Sequence, residues 1–157
     1  MGQYYTLHNW LKKRGFDELI WTDAVHREYI EESGAMNLFF LIANTLITPT
    51  LNTKTILDGV TRDSILILAK DNNINIEERK ISTHELVKEL KEKSKVEAFG
   101  TGTAATIVQI RSINIMGTSY ECYTGKDAKM YSLKNRLLLI RTGVIHDTPE
   151  WNYIIKG

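Results

Sequence analysis

A turn near the middle of the chain combines residue types that could bind an anion. The run from Asp58 to Asp63 (DGVTRD) leads directly into a helical pattern. Free backbone amides at a helix N-terminus, with the helix dipole behind them, form an anion site, and Thr61 adds a hydroxyl donor. Asp58 or Thr61 could instead simply cap the helix, and these six residues taken alone favour that common role.

A second candidate is the run from Phe99 to Ala105 (FGTGTAA). Its two glycines, Gly100 and Gly102, allow the backbone to approach a ligand closely and its amides to converge on an oxyanion. The run lacks the third glycine of a dinucleotide-binding fingerprint. Taken alone, it is equally compatible with a structural bend between two buried strands.

A third candidate is the adjacent pair Glu31 and Glu32, which precedes a continuous apolar run. In an extended segment their side chains point to opposite faces, so only one carboxylate can face the interior. Without further information, two solvated surface glutamates are the more common arrangement.

The other reactive side chains offer no recognisable site. The single cysteine, Cys122, lies in a polar context and excludes an internal disulfide. No pair of histidines has the spacing of metal ligands, and we therefore predict no metal site. The histidines are His8, His26, His84 and His146.

The elements that must position these segments can be predicted from periodicity. Strands and helices do not alternate strictly, which favours an α+β fold or an irregular α/β barrel over a doubly wound sheet. Ser82 and Glu85 fit a capping box at the start of one helix. Helices are predicted over residues 5–14, 61–71, 82–90 and 126–141, strands over 18–22, 28–31, 37–43 and 75–81, and two apolar segments separated by a Gly/Thr turn over 96–110.

Composition describes one ordinary globular domain, which we assign to residues 1–157. Hydrophobic residues make up 43% of the chain and charged residues 25%, and the net charge is +1. This balance predicts neither a nucleic-acid partner nor a membrane partner. The apolar run over residues 37–43 is too short to span a bilayer, and the first residues do not resemble a signal peptide, so we expect a cytoplasmic protein.

Taken together, the order and spacing of these segments resemble the signature motifs of one enzyme family. The chain resembles the branched-chain amino-acid aminotransferases, a class IV family that depends on pyridoxal phosphate (PLP), from about residue 2 to its end. The matching runs are YIEESGAMNLFF from Tyr29, LITPTL from Leu46, ILDGVTRDS from Ile56, ERKIS from Glu78 and EAFGTGTAA from Glu97.

This resemblance implies the large, cofactor-binding domain of the fold-type IV enzymes, an irregular pseudo-barrel of strands flanked by helices. It also implies transfer of the amino group of leucine, isoleucine or valine to 2-oxoglutarate, and a homo-oligomer. PLP would serve as the electron sink. Two other type IV activities, D-amino-acid aminotransferase and aminodeoxychorismate lyase, fit the motifs less well.

The resemblance also assigns roles to individual residues. Glu32 matches the glutamate that pairs with the pyridine nitrogen of PLP, and Tyr4 matches the tyrosine that binds its phenolic oxygen. Thr103 and Ala104 match the amides that hold the substrate carboxylate. The phosphate contacts correspond to Gly59, Val60, Thr61, Gly102 and Thr103.

The family lysine that forms the Schiff base with PLP has no counterpart in this sequence. In the family it precedes the tyrosine matched by Tyr4, within K-x-x-G-N-Y, and here it would fall upstream of Met1. Lys12 and Lys13 are better explained as solvated charges at the end of a helix. We therefore expect no catalytic residue in this chain alone, and activity only together with an N-terminal half. The alternative is a truncated, inactive domain that binds PLP or oligomerises.

Overall fold

The computed structural model describes residues 9–92, 95–103, 106–145 and 151–152. These residues form a seven-stranded sheet, a separate two-stranded hairpin and flanking helices, which confirms the expected mixed α/β architecture. The strands are β1 Ile20–Thr22, β2 Ile30–Ser33, β3 Met36–Ile42, β4 Thr45–Thr48, β5 Asn75–Glu78, β6 Glu97–Gly102, β7 Thr106–Ile110, β8 Ser112–Ile115 and β9 Thr118–Glu121. The helices are α1, which includes residues 9–13, α2 Val60–Asp71, α3 Thr83–Lys91 and α4 Lys129–Arg141.

The central strand β3 pairs antiparallel with three other strands. Asn37 is paired with Glu32 of β2 and with Thr101 of β6, whereas Phe40 is paired with β4 and with β6. A strand has two edges, so β6 occupies one edge while β2 and β4 divide the other. The sheet is thus forked beside the middle of β3.

The hydroxyl of Thr48 closes the narrow end of this fork. It is fully buried at the end of β4 and donates a hydrogen bond of 2.8 Å to the carbonyl oxygen of Leu38 in β3. A buried carbonyl that the fork would otherwise leave unpaired is thereby satisfied. The chain then enters a connection over residues 49–59, which leads to α2.

The two faces of the sheet are covered by different elements. Alternate residues of β3 point to opposite faces, and Phe39 stacks on Phe99 of β6 with ring centroids 5.2 Å apart. That face packs against α2 and α4, and the opposite face, which carries Leu38 and Phe40, packs against α3 and the β8–β9 hairpin. Burial of β3 on both faces, expected from its continuous apolar sequence, is confirmed.

The longer helix predictions agree with the structure except at their starts, since α4 begins at Lys129 and not at residue 126. α2 begins one residue earlier than predicted, and α4 buries the predicted face of Met130, Leu133, Leu137 and Ile140. At α3 the hydroxyl of Ser82 accepts from the amide of Glu85 at 3.0 Å, which is one of the two hydrogen bonds of the predicted capping box. The carboxylate of Glu85 is bonded by Arg79. No helix in the described part of the chain is both long and apolar enough to cross a membrane.

Several strand predictions need correction: the strand predicted over 18–22 begins only at Ile20, and that predicted over 75–81 ends at Glu78. The strand predicted over 28–31 spans Ile30–Ser33, because Asp23 accepts hydrogen bonds from the amides of Glu28 and Tyr29 and Tyr29 forms an isolated bridge with Ser82 instead of continuing the strand. The strand predicted over 37–43 ends at Ile42, because Ala43 and Asn44 adopt positive φ values of 45° and 72° in a two-residue hairpin. Strand β4 follows this turn directly, and the sequence patterns did not predict that strand.

A buried carboxylate joins the sheet to α4. Glu97 lies at the start of β6, is only 6% exposed, and accepts from the amides of Lys129 and Met130, each at 2.9 Å. The residue before the helix is Ala128, which has no side-chain acceptor. Glu97 therefore acts as the N-cap of α4 from a distant position in the sequence.

We expect the substitution Glu97→Ala to lower the free energy of unfolding by about 3 kcal/mol, because it leaves two helix amides without their charged acceptor. Urea denaturation followed by circular dichroism would measure this. Glu121→Ala, at an exposed glutamate in β9, is the matched control and should change the free energy by less than about 0.5 kcal/mol. Equal effects of the two substitutions would contradict the capping role.

The single cysteine lies in the core rather than in a reactive setting. Cys122 is 6% exposed and packs with the face of the sheet that contacts α3. Burial, assisted by the charge of Glu121, raises the pKa of its thiol to about 12. The thiolate needed for nucleophilic chemistry is therefore scarce at neutral pH.

Iodoacetamide at pH 8 should alkylate Cys122 about 1,000-fold more slowly in the folded chain than in urea, because only the thiolate reacts and its pKa is raised from 9.0 to about 12. Between pH 9 and 12 the unfolded thiol ionises while the folded thiol keeps its proton. The free energy of unfolding should therefore fall as pH rises through that window, and less so in Cys122→Ala. Mass spectrometry and denaturation at several pH values provide the measurements, and rapid native alkylation would contradict the buried thiol.

Candidate functional site

Three of the candidate segments meet at the N-terminal end of β3. Direct cross-strand partners point to the same face of a sheet, so Glu32, Asn37 and Thr101 form a polar row across β2, β3 and β6. This row lies on the face that also packs against α2. The wide end of the fork opens here, and the second half of the 49–59 connection lies against it.

The two glutamates of β2 both contact that connection. Glu31 accepts a hydrogen bond of 2.5 Å from the hydroxyl of Thr55, and Glu32 lies 3.4 Å from the amide nitrogen of Leu57. Both carboxylates are only partly buried. The predicted division, with one glutamate towards the interior and one towards solvent, is therefore less sharp than alternation alone suggests.

The N-terminus of α2 follows immediately. Gly59 is its N-cap residue, and within the described residues no side chain supplies a capping hydrogen bond there. The structure thus does not support the simpler interpretation that Asp58 or Thr61 caps the helix. The first amides of α2 remain available, while Asp63 begins the helical ladder by donating to the carbonyl of Gly59 at 3.0 Å.

A buried arginine anchors the first turn of α2. Arg62 is 3% exposed, and its Nη2 donates to the carbonyl of Pro49 at 3.2 Å and to the carboxylate of Glu78 at 2.7 Å. These bonds tie the helix to the beginning of the 49–59 connection and to the end of β5. The connection is therefore held at both ends.

The glycine-rich run ends β6 beside the β2–β3 turn. Gly100 lies under the side chain of Met36, where an added Cβ would be 3.1 Å from the sulfur. Gly102 faces the carbonyl of Ala35, with an added Cβ at 3.4 Å. Both glycines thus permit close packing, and Thr103, just beyond the strand, is exposed.

The structure therefore brings together most of the residues singled out from the sequence. Glu32 lies next to the connection that ends at Gly59, and β6 delivers Gly102 and Thr103 to the same end of β3. Tyr4 and Ala104 lie outside the described residues. Lys12 and Lys13 are exposed, as expected.

Asn37 and Thr101 belong to the site but were not singled out from the sequence. Asn37 is 6% exposed, and the hydroxyl of Thr101 is fully buried without a hydrogen-bond partner among the described residues. A buried asparagine or threonine within an apolar strand was the available signal, since polar side chains are seldom buried without a reason. The described ranges contain no group of three or more histidine, cysteine, aspartate or glutamate residues that could hold a metal ion.

Comparison with known proteins gives these segments a context. The family model described as amino-transferase class IV matches residues 1–113. Branched-chain amino acid aminotransferase 1, mitochondrial, from Humulus lupulus is 36% identical over 140 residues, which are 89% of this chain and 34% of that protein. Branched-chain-amino-acid aminotransferase 2 from Bacillus subtilis (strain 168) is 34% identical over 141 residues, 89% of this chain and 39% of that protein.

Comparison with solved structures gives the same result. The branched-chain amino acid aminotransferase from Escherichia coli superposes with a TM-score of 0.70 at 29% identity, over 90% of this chain and 43% of that chain. An M4 mutant of the enzyme from Thermobaculum terrenum reaches 0.76 at 23% identity, over 92% and 44%, a likeness of fold alone. The chain thus spans about a third to less than half of the length of these relatives. It belongs to the class IV aminotransferase family and has the fold of the fold-type IV aminotransferases.

Proposed function

We propose that this chain is the cofactor-binding part of a PLP-dependent aminotransferase that acts on leucine, isoleucine and valine, with 2-oxoglutarate as amino acceptor. The observation that carries the proposal is the meeting of Glu32, the uncapped start of α2 and the end of β6 at one end of β3. A carboxylate at one side and free helix amides at the other suit a ligand with a basic ring nitrogen and a phosphate.

The residues present fit PLP. The α2 amides at Val60 and Thr61 and the hydroxyl of Thr61 can bind the phosphate dianion, because no side chain of the described residues already caps them. Gly59 allows this start of the helix to lie against Asn37, whose Oδ1 an added Cβ would meet. Gly102 and Thr103 would supply the second phosphate contact.

Each of the candidate residues would have its own role in binding PLP or the substrate. Glu32 would hold a proton on the pyridine nitrogen through a charge-assisted hydrogen bond. When bound, PLP supplies an electron sink for the charge that develops at the α-carbon of the amino acid. The amides of Thr103 and Ala104 would orient the substrate carboxylate, and Tyr4 would bind the phenolic oxygen of the ring.

Turnover would further require groups that we do not assign to this chain. The proposed enzyme combines it with the lysine and the N-terminal half that the family motif places upstream of Tyr4. We also propose a homo-oligomeric, cytoplasmic enzyme with small amino-acid and oxo-acid substrates, without nucleic-acid or membrane partners. If the other half is never supplied, the chain would act only as a domain that binds PLP or oligomerises.

The substitution Glu32→Gln should weaken PLP binding about 10- to 100-fold, because the charge-assisted hydrogen bond to the ring nitrogen is lost. Equilibrium dialysis or ligand absorbance measures the dissociation constant. Glu31→Gln is a matched control on the neighbouring residue, since a glutamine oxygen can still accept from Thr55. Equal weakening in both variants would count against the role of Glu32.

Reduction of the PLP-treated chain with borohydride should yield no specific covalent adduct by mass spectrometry, and leucine with 2-oxoglutarate should not turn over. Co-expression with the N-terminal half of a family member should restore activity. A stoichiometric adduct at one lysine of this chain would contradict the assignment of the covalent step to a residue outside it. Failure of co-expression would favour the inactive-domain alternative.

A further inference from the structure

The connection before α2 lies unusually close to β3 at a single residue. Asn37 is 6% exposed, and its Nδ2 donates a hydrogen bond of 2.7 Å to the carbonyl oxygen of Leu57. On the other side of its amide group, Oδ1 lies directly against Gly59. One side chain thus contacts both ends of the segment 57–59.

Gly59 is required by this contact rather than by its backbone conformation. Its φ of −86° and ψ of 126° are accessible to any residue. An added Cβ, however, would collide with Oδ1 of Asn37, whereas its contact with Arg62 would be an ordinary 3.6 Å. The closeness of α2 to the sheet therefore depends on the pair of Asn37 and Gly59.

The same segment also contacts Glu32. The amide nitrogen of Leu57 lies 3.4 Å from the Glu32 carboxylate, and Glu32 is the cross-strand neighbour of Asn37. Asn37 thus lies between the carboxylate and the first turn of α2, in contact with the segment that links them. A shift of this segment would change the separation of the two groups.

We propose that Asn37 is a positioning residue that sets the distance between Glu32 and the first amides of α2. This inference rests on the proposed function, because it matters only for a ligand that spans both groups. In this proposal Asn37 acts through the segment 57–59 and not by touching the ligand. Its effect should therefore appear for PLP, which has a phosphate, and be nearly absent for pyridoxal, which lacks one.

The test compares dissociation constants for PLP and pyridoxal in variants of the whole chain. Asn37→Ala should weaken PLP binding about tenfold and pyridoxal binding less than about twofold, since the phosphate contacts are displaced. Asn37→Ser, which is too short to reach Leu57, provides a second variant should alanine prevent folding. Asn114→Ala, which removes an asparagine hydrogen-bonded within the β8–β9 hairpin, is the control and should change neither constant.

A double-mutant cycle tests the pair itself. Gly59→Ala alone should weaken PLP binding about tenfold, because the new methyl group meets Oδ1 of Asn37. The double variant Asn37→Ala/Gly59→Ala should lose much less than the product of the two single effects, because the obstructing atom is gone. Multiplicative losses, or equal losses for PLP and pyridoxal, would overturn the inference.

Amide hydrogen exchange separates this inference from the proposed function. Peptides covering residues 55–68 should exchange faster in Asn37→Ala and in Gly59→Ala, with other peptides unchanged. If the unaltered chain fails to bind PLP, the proposed function fails, yet faster exchange in this segment would still support the positioning role. Unchanged exchange in both variants would overturn that role whatever the ligand does.

Discussion

The segment 57–59 can lie against β3 only because Gly59 has no side chain and Asn37 offers a hydrogen bond. Much of the site follows from this contact. It places the first turn of α2 beside the polar row, and the buried Arg62 then fixes the helix to Pro49, just after β4, and to Glu78 at the end of β5. Loss of the contact would leave the helix and the sheet intact as elements but free to shift relative to each other.

The fork in the sheet provides the space for this arrangement. Because β2 and β4 share one edge of β3, the connection over residues 49–59 can lie beside the polar row at the wide end of the fork, although most of its residues stay at least partly exposed. Thr48 satisfies the carbonyl of Leu38 at the narrow end. Connecting segments usually lie on the surface, and this one is fixed against the sheet by hydrogen bonds to Glu31, Glu32 and Asn37.

Elements with a strong local pattern were predictable, and contacts between distant residues were not. The helical spacing of Met130, Leu133, Leu137 and Ile140 identified α4 and its buried face correctly. By contrast, the turn at Ala43 and Asn44 lacks glycine, so β4 was missed. Gly59 has an ordinary backbone conformation. A side chain is excluded there only because Asn37, twenty-two positions earlier in the sequence, lies against it. The motif resemblance identified the candidate residues but not how they are held.

The central proposal is that one ligand spans Glu32 and the N-terminus of α2. A crystal structure of the chain with 4′-deoxypyridoxine phosphate, which keeps the ring nitrogen and phosphate but lacks the reactive aldehyde, tests it most directly. We predict phosphate density at the amides of Val60 and Thr61, with the carboxylate of Glu32 about 2.8 Å from the ring nitrogen. A ligand bound elsewhere, or a ring nitrogen facing solvent while Glu32 keeps its contact with Leu57, would contradict the proposal.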